Sequence, residues 1–265
     1  MSKNTIHFSI EEKVVPDEPF PPIIFIVPYR DREQQLEFFK IHMARIMEGI
    51  DHRILYIHQY DNRGFNRGAL KNIGFMVVKQ LYPTNYKKIT LVFNDIDTAP
   101  FTKGFLKYET TPGTVKHFYG FRNTLGGIVS IMANDFEKIN GFPNFWTWGF
   151  EDNLLQIRAE KAGLKIDRSQ FYPIHDKNIL HVHDGTFRDL NRGEFDRYLK
   201  KTQEGWRSIT NLNYDIDNET EFVHVNTFDT GLPEDTARTI SYDLTKGNSP
   251  FKVQGPRRGS MGMFI

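Results

Sequence analysis

Ile89-Thr90-Leu91-Val92-Phe93-Asn94-Asp95-Ile96-Asp97 joins a buried strand to a pair of acids, and the fold class follows from it. Its first five residues have the make-up of a short strand buried on both faces, and the run passes without a linker into two carboxylates. Two runs of the same kind lie upstream, Ile23-Ile24-Phe25-Ile26-Val27, which stops at Pro28, and Ile54-Leu55-Tyr56-Ile57. Between these two, Arg32 to Ile50 carries Leu36, Phe39, Ile41, Met43, Ile46 and Met47 near helical spacing, and residues 67–81 read as a second helix before the third strand. Strand, helix, strand, helix, strand predicts an α/β domain with a mostly parallel central sheet flanked by helices, whose ligands gather at the carboxyl ends of the strands.

Further along, residues 99–150 loosen into short strands and turns rich in Gly and aromatics. Glu151 to Ala162 reads as a helix ended by Gly163, and Ile179 to His183 as a short late strand. The charged stretch Asp184 to Gln203 reads as a mobile loop leading into a helix, Glu221 to Asn226 as one more strand, and Pro250 to Ile265 as a poorly ordered tail. No repeat or clear linker interrupts the chain. The expected division is an N-terminal extension over 1–22, a single domain over 23–226 and a partly disordered C-terminal appendage over 227–265.

Composition narrows the function. The 265 residues hold 34 Lys and Arg against 33 Asp and Glu, a net charge of +1, so the clustered excess of cations that a nucleic-acid binder needs is missing. Cysteine is absent, which removes disulfides, zinc ribbons and thiol nucleophiles and leaves His and carboxylates as the only metal ligands. Nothing approaches the ~18 consecutive apolar residues of a membrane span, and the polar, acidic N-terminus has no signal-peptide pattern. A cytosolic protein, or a catalytic domain cut from a longer one, is the expectation. The 23 Phe suit a deep core first and stacking walls second.

Six segments carry candidate chemistry. Asp95 and Asp97 share one side of a strand end, a geometry for a hard divalent cation and the diphosphate it bridges, while the second Asp-Ile-Asp, Asp215 and Asp217, lies in a polar stretch with no such context. His181 and His183 put two imidazoles on one face of an extended segment, either as ligands or as the polar side of a half-exposed strand. With Asp97 they form a borderline-to-hard set that suits Mn²⁺ better than Ca²⁺. In Phe145-Trp146-Thr147-Trp148-Gly149-Phe150-Glu151-Asp152-Asn153, the two acids open a helix beside aromatics: a capped helix against a core cluster, or an indole platform for a sugar beside a carboxylate base. Pro28-Tyr29-Arg30-Asp31-Arg32 and Phe65-Asn66-Arg67 offer basic side chains, rings and a helix N-terminus to a nucleotide, or are solvated loops. Gly126-Gly127 marks a close backbone approach or a tight turn.

Taken in order, Val27 to Arg32, Phe65 to Leu70 with Asn72 to Phe75, Phe93 to Asp97, Gly126-Gly127, Asn140-Gly141-Phe142-Pro143-Asn144 and Trp146 to Asp152 resemble the β-1,4-galactosyltransferase family, glycosyltransferase family 7. The likeness runs from about residue 23 to about residue 226. His181-Val182-His183-Asp184 resembles most the branch that adds galactose to xylose in the glycosaminoglycan linker. The resemblance implies a GT-A nucleotide-diphospho-sugar transferase fold and an inverting, metal-dependent transfer of galactose from UDP-galactose to a sugar hydroxyl of a saccharide or glycoconjugate, with β linkage. It also implies Mn²⁺ on Asp97, His181 and His183; a UDP site on Pro28, Tyr29, Arg30, Arg32, Phe65, Arg67 and Asp95; Trp148 against the sugar and diphosphate; and Asp152 with Glu151 at the acceptor, Asp152 as the base. The segment after His183 would close over bound donor.

This chain departs from the family pattern at Thr147, which replaces a Gly, at Asn153, which ends the acidic run, and at Thr124-Leu125 before Gly126-Gly127. Thr124 stands where the family carries a Tyr that helps set the preference for galactose over its N-acetylated relative. A UDP-N-acetylhexosamine or UDP-glucose transferase of polysaccharide synthesis, an inactive carbohydrate-binding homologue and a nucleotide-sugar hydrolase are the competing readings. The missing anchor and cysteines lead to the expectation of a viral or microbial cytoplasmic enzyme, or a domain trimmed from a Golgi-type one.

Overall fold

A computed structural model of the chain describes residues 19–182, 185–247 and 251. The first buried runs become β1 (Ile23–Tyr29), β2 (Arg53–Gln59) and β3 (Thr90–Asn94), separated by α1 (Glu33–Ile46) and α2 (Arg67–Leu81). They are followed by β4 (Thr98–Pro100), β5 (Thr114–Gly120), β6 (Ile128–Met132), α3 (Ala133–Lys138), α4 (Glu151–Lys161), β7 (Lys165–Asp167), β8 (Tyr172–Pro173) and β9 (Ile179–His181). The chain continues through β10 (Phe187–Asn191), α5 (Arg192–Leu199), β11 (Thr210–Asp217), β12 (Phe222–Asp229) and β13 (Thr239–Asp243).

Among the described residues one nine-stranded sheet dominates, in the order β11-β12-β2-β1-β3-β6-β5-β7, with β8 also paired to β5. The run β12-β2-β1-β3 is parallel, and β6 enters antiparallel to β3 with Asn94 opposite Ile128. The carboxyl ends of β1 and β3 and the start of β6 therefore share one edge, where parallel α/β sheets collect ligands.

Because side chains alternate across a strand, β1 feeds both layers. Ile24 and Ile26 pack with Ala69, Leu70, Ile73 and Val77 of α2, while Phe25, Val27 and Tyr29 pack with Phe39 and Met43 of α1. The same alternation sends Pro28 and Arg30 to the α2 side. No helix among the described residues is long and apolar enough to cross a membrane.

Three stretches differ from their sequence reading. The segment read as a mobile loop contains β10, which pairs antiparallel with β13; the pairing partner lies some fifty residues on, and a local pattern carries no trace of it. The polar stretch with Asp215 and Asp217 forms β11, with Leu212, Tyr214 and Ile216 packed on the core. There Asp217 Oδ1 accepts from the backbone N–H of Glu219 at 2.9 Å, so it caps a turn. The segment read as a C-terminal appendage folds back over the sheet edge: Gly64 N donates to Glu234 at 2.9 Å, and the Trp146 indole donates to the Leu232 carbonyl at 2.9 Å.

Candidate active site

The Asp-Ile-Asp turn is built by the residue before it. Asn94 is fully buried, and its side-chain amide donates to the carbonyls of Asp95 (2.7 Å) and Thr98 (2.8 Å), closing the loop. Ile96 is thereby turned inward, and both carboxylates are left at the strand end. β4 then pairs with β9, Thr98 opposite His181, and Val182 N donates to the Asp97 carbonyl at 2.8 Å. That ladder sets His181 Nε2 3.4 Å from Asp97 Oδ2, while the Tyr119 hydroxyl lies 3.5 Å from His181 Nδ1.

The helix that faces this turn is started by Asn66, whose side chain accepts from Ala69 N at 2.9 Å. A Cβ at Gly68 would collide with the Pro143 carbonyl oxygen, so glycine is what lets the first turn of α2 come against the loop before α4. Arg67 then reaches three carboxylates. Its Nε and Nη2 grip Asp95 in a two-pronged pair at 2.8 Å each, and its Nη1 donates to Glu151 at 2.7 Å and to Asp152 at 2.9 Å. Both acids open α4, after Phe150 in a left-handed conformation (φ 70°) that costs a non-glycine residue about 1 kcal/mol or more.

The two acids differ in setting. The Glu151 side chain is 5% exposed and Asp152 20%, and burial, then the neighbouring Asp152, pushes Glu151 above the ordinary carboxylate range. Burial would do the same to Asp95, but Arg67 and Lys71 together hold it below. Desolvation works against the Arg67 charge, yet its three carboxylates raise it well above the usual value. Gly126 lies against Asp152, where a Cβ would collide with the carboxylate, and Leu125 N donates to the Asp152 carbonyl at 3.1 Å.

These groups border a cleft of about 390 Å³ whose walls include Pro28, Arg30, Arg32, Phe65, Arg67, Asp95, Asp97, Trp148 and Glu151. The Arg30 guanidinium sits over the Phe65 ring, 5.3 Å from its centroid. The cleft thus offers cations, a ring and an indole on one side and carboxylates at its floor, which suits an anionic, partly aromatic ligand joined to a polyol.

Two family models match the chain: the N-terminal region of glycosyl transferase group 7 over residues 17–106, and the N-terminal domain of galactosyltransferase over residues 114–183. Together they take in the Asp-Ile-Asp turn, Arg67, the acids of α4 and His181. The chain belongs to the β-1,4-galactosyltransferase family. Among relatives of this family, the Drosophila melanogaster β-1,4-galactosyltransferase 7 is 28% identical over 206 residues, covering 72% of this chain and 62% of that protein. The Caenorhabditis elegans xylosylprotein 4-β-galactosyltransferase is 31% identical over 171 residues, covering 60% and 57%. The chain thus spans about three-fifths of the length of these relatives. The solved catalytic domain of the Drosophila enzyme in complex with xylobiose shares the fold at a TM-score of 0.60 and 21% identity, covering 84% of this chain and 96% of that one. A mutant of that protein was solved with manganese, UDP-Gal and xylobiose, at a TM-score of 0.56.

In this galactosyltransferase-family chain, then, most residues singled out from sequence converge on one cleft. Asp152 and His181 touch the wall residues Arg67 and Asp97 without lining the cleft themselves, and two groups stand elsewhere, Tyr29 and the Thr124 to Gly127 turn. Tyr29 is buried on the α1 side, its ring edge-on to His58 and Phe222, because it is one residue out of phase with Pro28 and Arg30. Of the two indoles, Trp146 is core, stacked on Phe228, and Trp148 at 40% exposure is the available platform. Thr124, Gly126 and Gly127 are not part of the cleft wall: Gly126 lies against Asp152, Gly127 against Tyr119, and Thr124 donates its hydroxyl to the Phe121 carbonyl at 3.2 Å. His183 lies outside the described residues, among which no set of three or more metal-ligating side chains occurs. The pair Asp97 and His181 fits a shared cation: their donor atoms converge, both are of the oxygen or imidazole type Mn²⁺ accepts, and a hydroxyl faces the second ring nitrogen of His181 as in orienting shells of metal ligands.

The sequence reading missed Glu234, Thr239, Arg188 and Asp189, which close the cleft from β10, β13 and the segment after β12. No motif marks them. It also missed Lys71, one helical turn beyond Arg67 on the apolar face of α2, where a lysine between Leu70 and Ile73 was the available signal.

Proposed function

We propose that this chain is an inverting, Mn²⁺-dependent transferase that moves galactose from UDP-galactose to a sugar hydroxyl. The observation that carries the reading is Arg67 drawing Asp95 from the end of β3 and Glu151 and Asp152 from the start of α4 to one point beside the Asp97–His181 pair. The names and ligands of the relatives support the same donor, metal and a xylose-type acceptor.

In this reading Arg30, Arg32 and Phe65 hold the nucleotide, and Trp148 lies along the sugar. Asp152, the more exposed of the two acids, takes the proton from the acceptor hydroxyl as that oxygen attacks the anomeric carbon from the face opposite UDP. Glu151, buried and shifted toward its protonated form, positions the acceptor by hydrogen bonding. Asp97, His181 and His183 would hold the divalent cation, which when bound offsets charge on the departing diphosphate. A single displacement converts an α-linked donor to a β product without a covalent intermediate.

A matrix of UDP-sugars against xylosides and N-acetylglucosaminides, scored by product mass with and without Mn²⁺, tests it. One hexose added to a xyloside from UDP-galactose is the expected result. UDP release that ignores the acceptor would make the chain a hydrolase, and no turnover with any pair would leave a binding module. A second donor follows from the family resemblance alone, since Thr124 lies outside the cleft wall: with a threonine where the family carries a phenol beside the 2-substituent, UDP-N-acetylgalactosamine is expected as a competing substrate.

A further inference from the structure

Lys71 is a lysine in a core position. It is 1% exposed, four residues after Arg67 on the same face of α2, with its ammonium 4.7 Å from the centroid of the Phe142 ring. It stands 3.6 Å from Asp152 Oδ1 and 3.8 Å from Asp95 Oδ1, at ion-pair rather than hydrogen-bond range. A fully buried lysine is kept charged only by partners, since burying an isolated ammonium is far more costly than burying an apolar chain of the same length. Here the partners are Asp95, which lines the cleft, and Asp152, which stands beside it on Arg67.

Charge and placement separate its role from that of Arg67. Two cations of α2, Arg67 and Lys71, face three acids, Asp95 from β3 and Glu151 and Asp152 from α4. Arg67 lines the cleft, so a bound diphosphate competes for its guanidinium; Lys71 lies behind it, outside the cleft wall. Its charge therefore stays with Asp95 and Asp152 whatever the cleft contains. We infer that Lys71 is a positioning residue for the transfer reaction, the fixed counter-charge that holds the Asp152 carboxylate in place while Arg67 is shared with the donor. Burial and the Arg67 charge push the Lys71 ammonium below its ordinary value, with the acids opposing, in keeping with a group whose charge depends on these neighbours.

This inference rests on the transferase reading, and its test separates the two. Lys71→Met keeps the four-atom stem and removes the ammonium; kcat for hexose transfer is expected to fall ~10²-fold, as for a displaced catalytic group, with KM for the UDP-sugar nearly unchanged. In Lys71→Ala, added n-propylammonium is expected to restore part of kcat in a saturable way, and 1-propanol, of the same heavy-atom length and uncharged, is expected to restore none. A wild-type kcat in Lys71→Met, or equal effects of the two additives, overturns the inference.

A double-mutant cycle in denaturant unfolding, Lys71→Met with Asp152→Asn, needs no activity. Strong non-additivity, or a Lys71→Met chain that folds only when Asp152→Asn is added, is expected. Additive losses, or a double variant that stays unfolded, overturn the inference. If the wild type transfers no hexose at all, the transferase reading fails and the cycle still decides whether Lys71 acts on Asp152.

Discussion

His117 gives the sharpest quantitative handle on the edge of the site. It is fully buried on β5, its Nε2 facing the carbonyls of Tyr119 (3.1 Å) and Gly126 (3.2 Å), and its Nδ1 accepts from Arg168 Nε at 3.1 Å. Two carbonyls at one nitrogen and a donor at the other fix the neutral Nε2–H form, and the ring thereby holds the Gly126 turn that rests on Asp152. Burial, helped by the Arg168 charge, pushes the imidazole down to about 4 from an ordinary 6.5. The folded ring binds a proton less tightly than the unfolded one, so its contribution to stability is complete above pH ~6.5 and is lost as pH falls toward ~4. The full difference corresponds to about 3 kcal/mol, of which about 2 kcal/mol is lost by pH ~5. Urea unfolding of the wild type and of His117→Gln, at pH ~7.5 and pH ~5, isolates this share, because every other titrating group is common to both chains. The wild type should lose about 2 kcal/mol more than the variant across that interval. Equal losses in the two chains would refute the assignment of a neutral, hydrogen-bonded His117.

The other expectations concern the reaction. Asp97→Asn and His181→Ala should each abolish Mn²⁺-dependent UDP binding in calorimetry while leaving the melting temperature close to that of the wild type; binding that survives in both would place the metal elsewhere. Asp152→Asn should bind UDP with near-normal affinity and turn over ~10²–10⁴-fold more slowly, the range for a lost general base, whereas wild-type turnover would remove Asp152 from that role. Thr124→Tyr should narrow donor use toward galactose, and since a pocket that only gains or loses space discriminates by ~1–3 kcal/mol, the ratio of kcat/KM for UDP-galactose and UDP-N-acetylgalactosamine should move by ~10–100-fold. A wild-type galactose preference above ~100-fold that the substitution leaves unchanged would show that Thr124 is not the determinant.

Features with a local cause were legible from the residues alone. The apolar runs 23–27, 54–57 and 89–93 mark parallel strands because a strand buried on both faces is filled mostly by apolar side chains, and helical spacing placed α2 over 67–81 as observed. The carboxylates of Asp95 and Asp97, and those of Glu151 and Asp152, were legible because a strand end and a helix start each put a short motif at a known place. Only the tertiary structure decided how these motifs meet. That one guanidinium, Arg67, joins acids 28 and 84 residues away depends on which strand lies beside which, and no local pattern encodes that. The phase of β1 sent Tyr29 away from the cleft though its neighbours face it, and a contact with Phe228 buried Trp146 while leaving Trp148 exposed. β10, interrupted by Arg188 and Asp189, and β13, short and polar, hold together by pairing with each other. Lys71 looks like an ordinary helical lysine until α2 is laid on the sheet, where the carboxylates of two other elements make a buried charge tolerable.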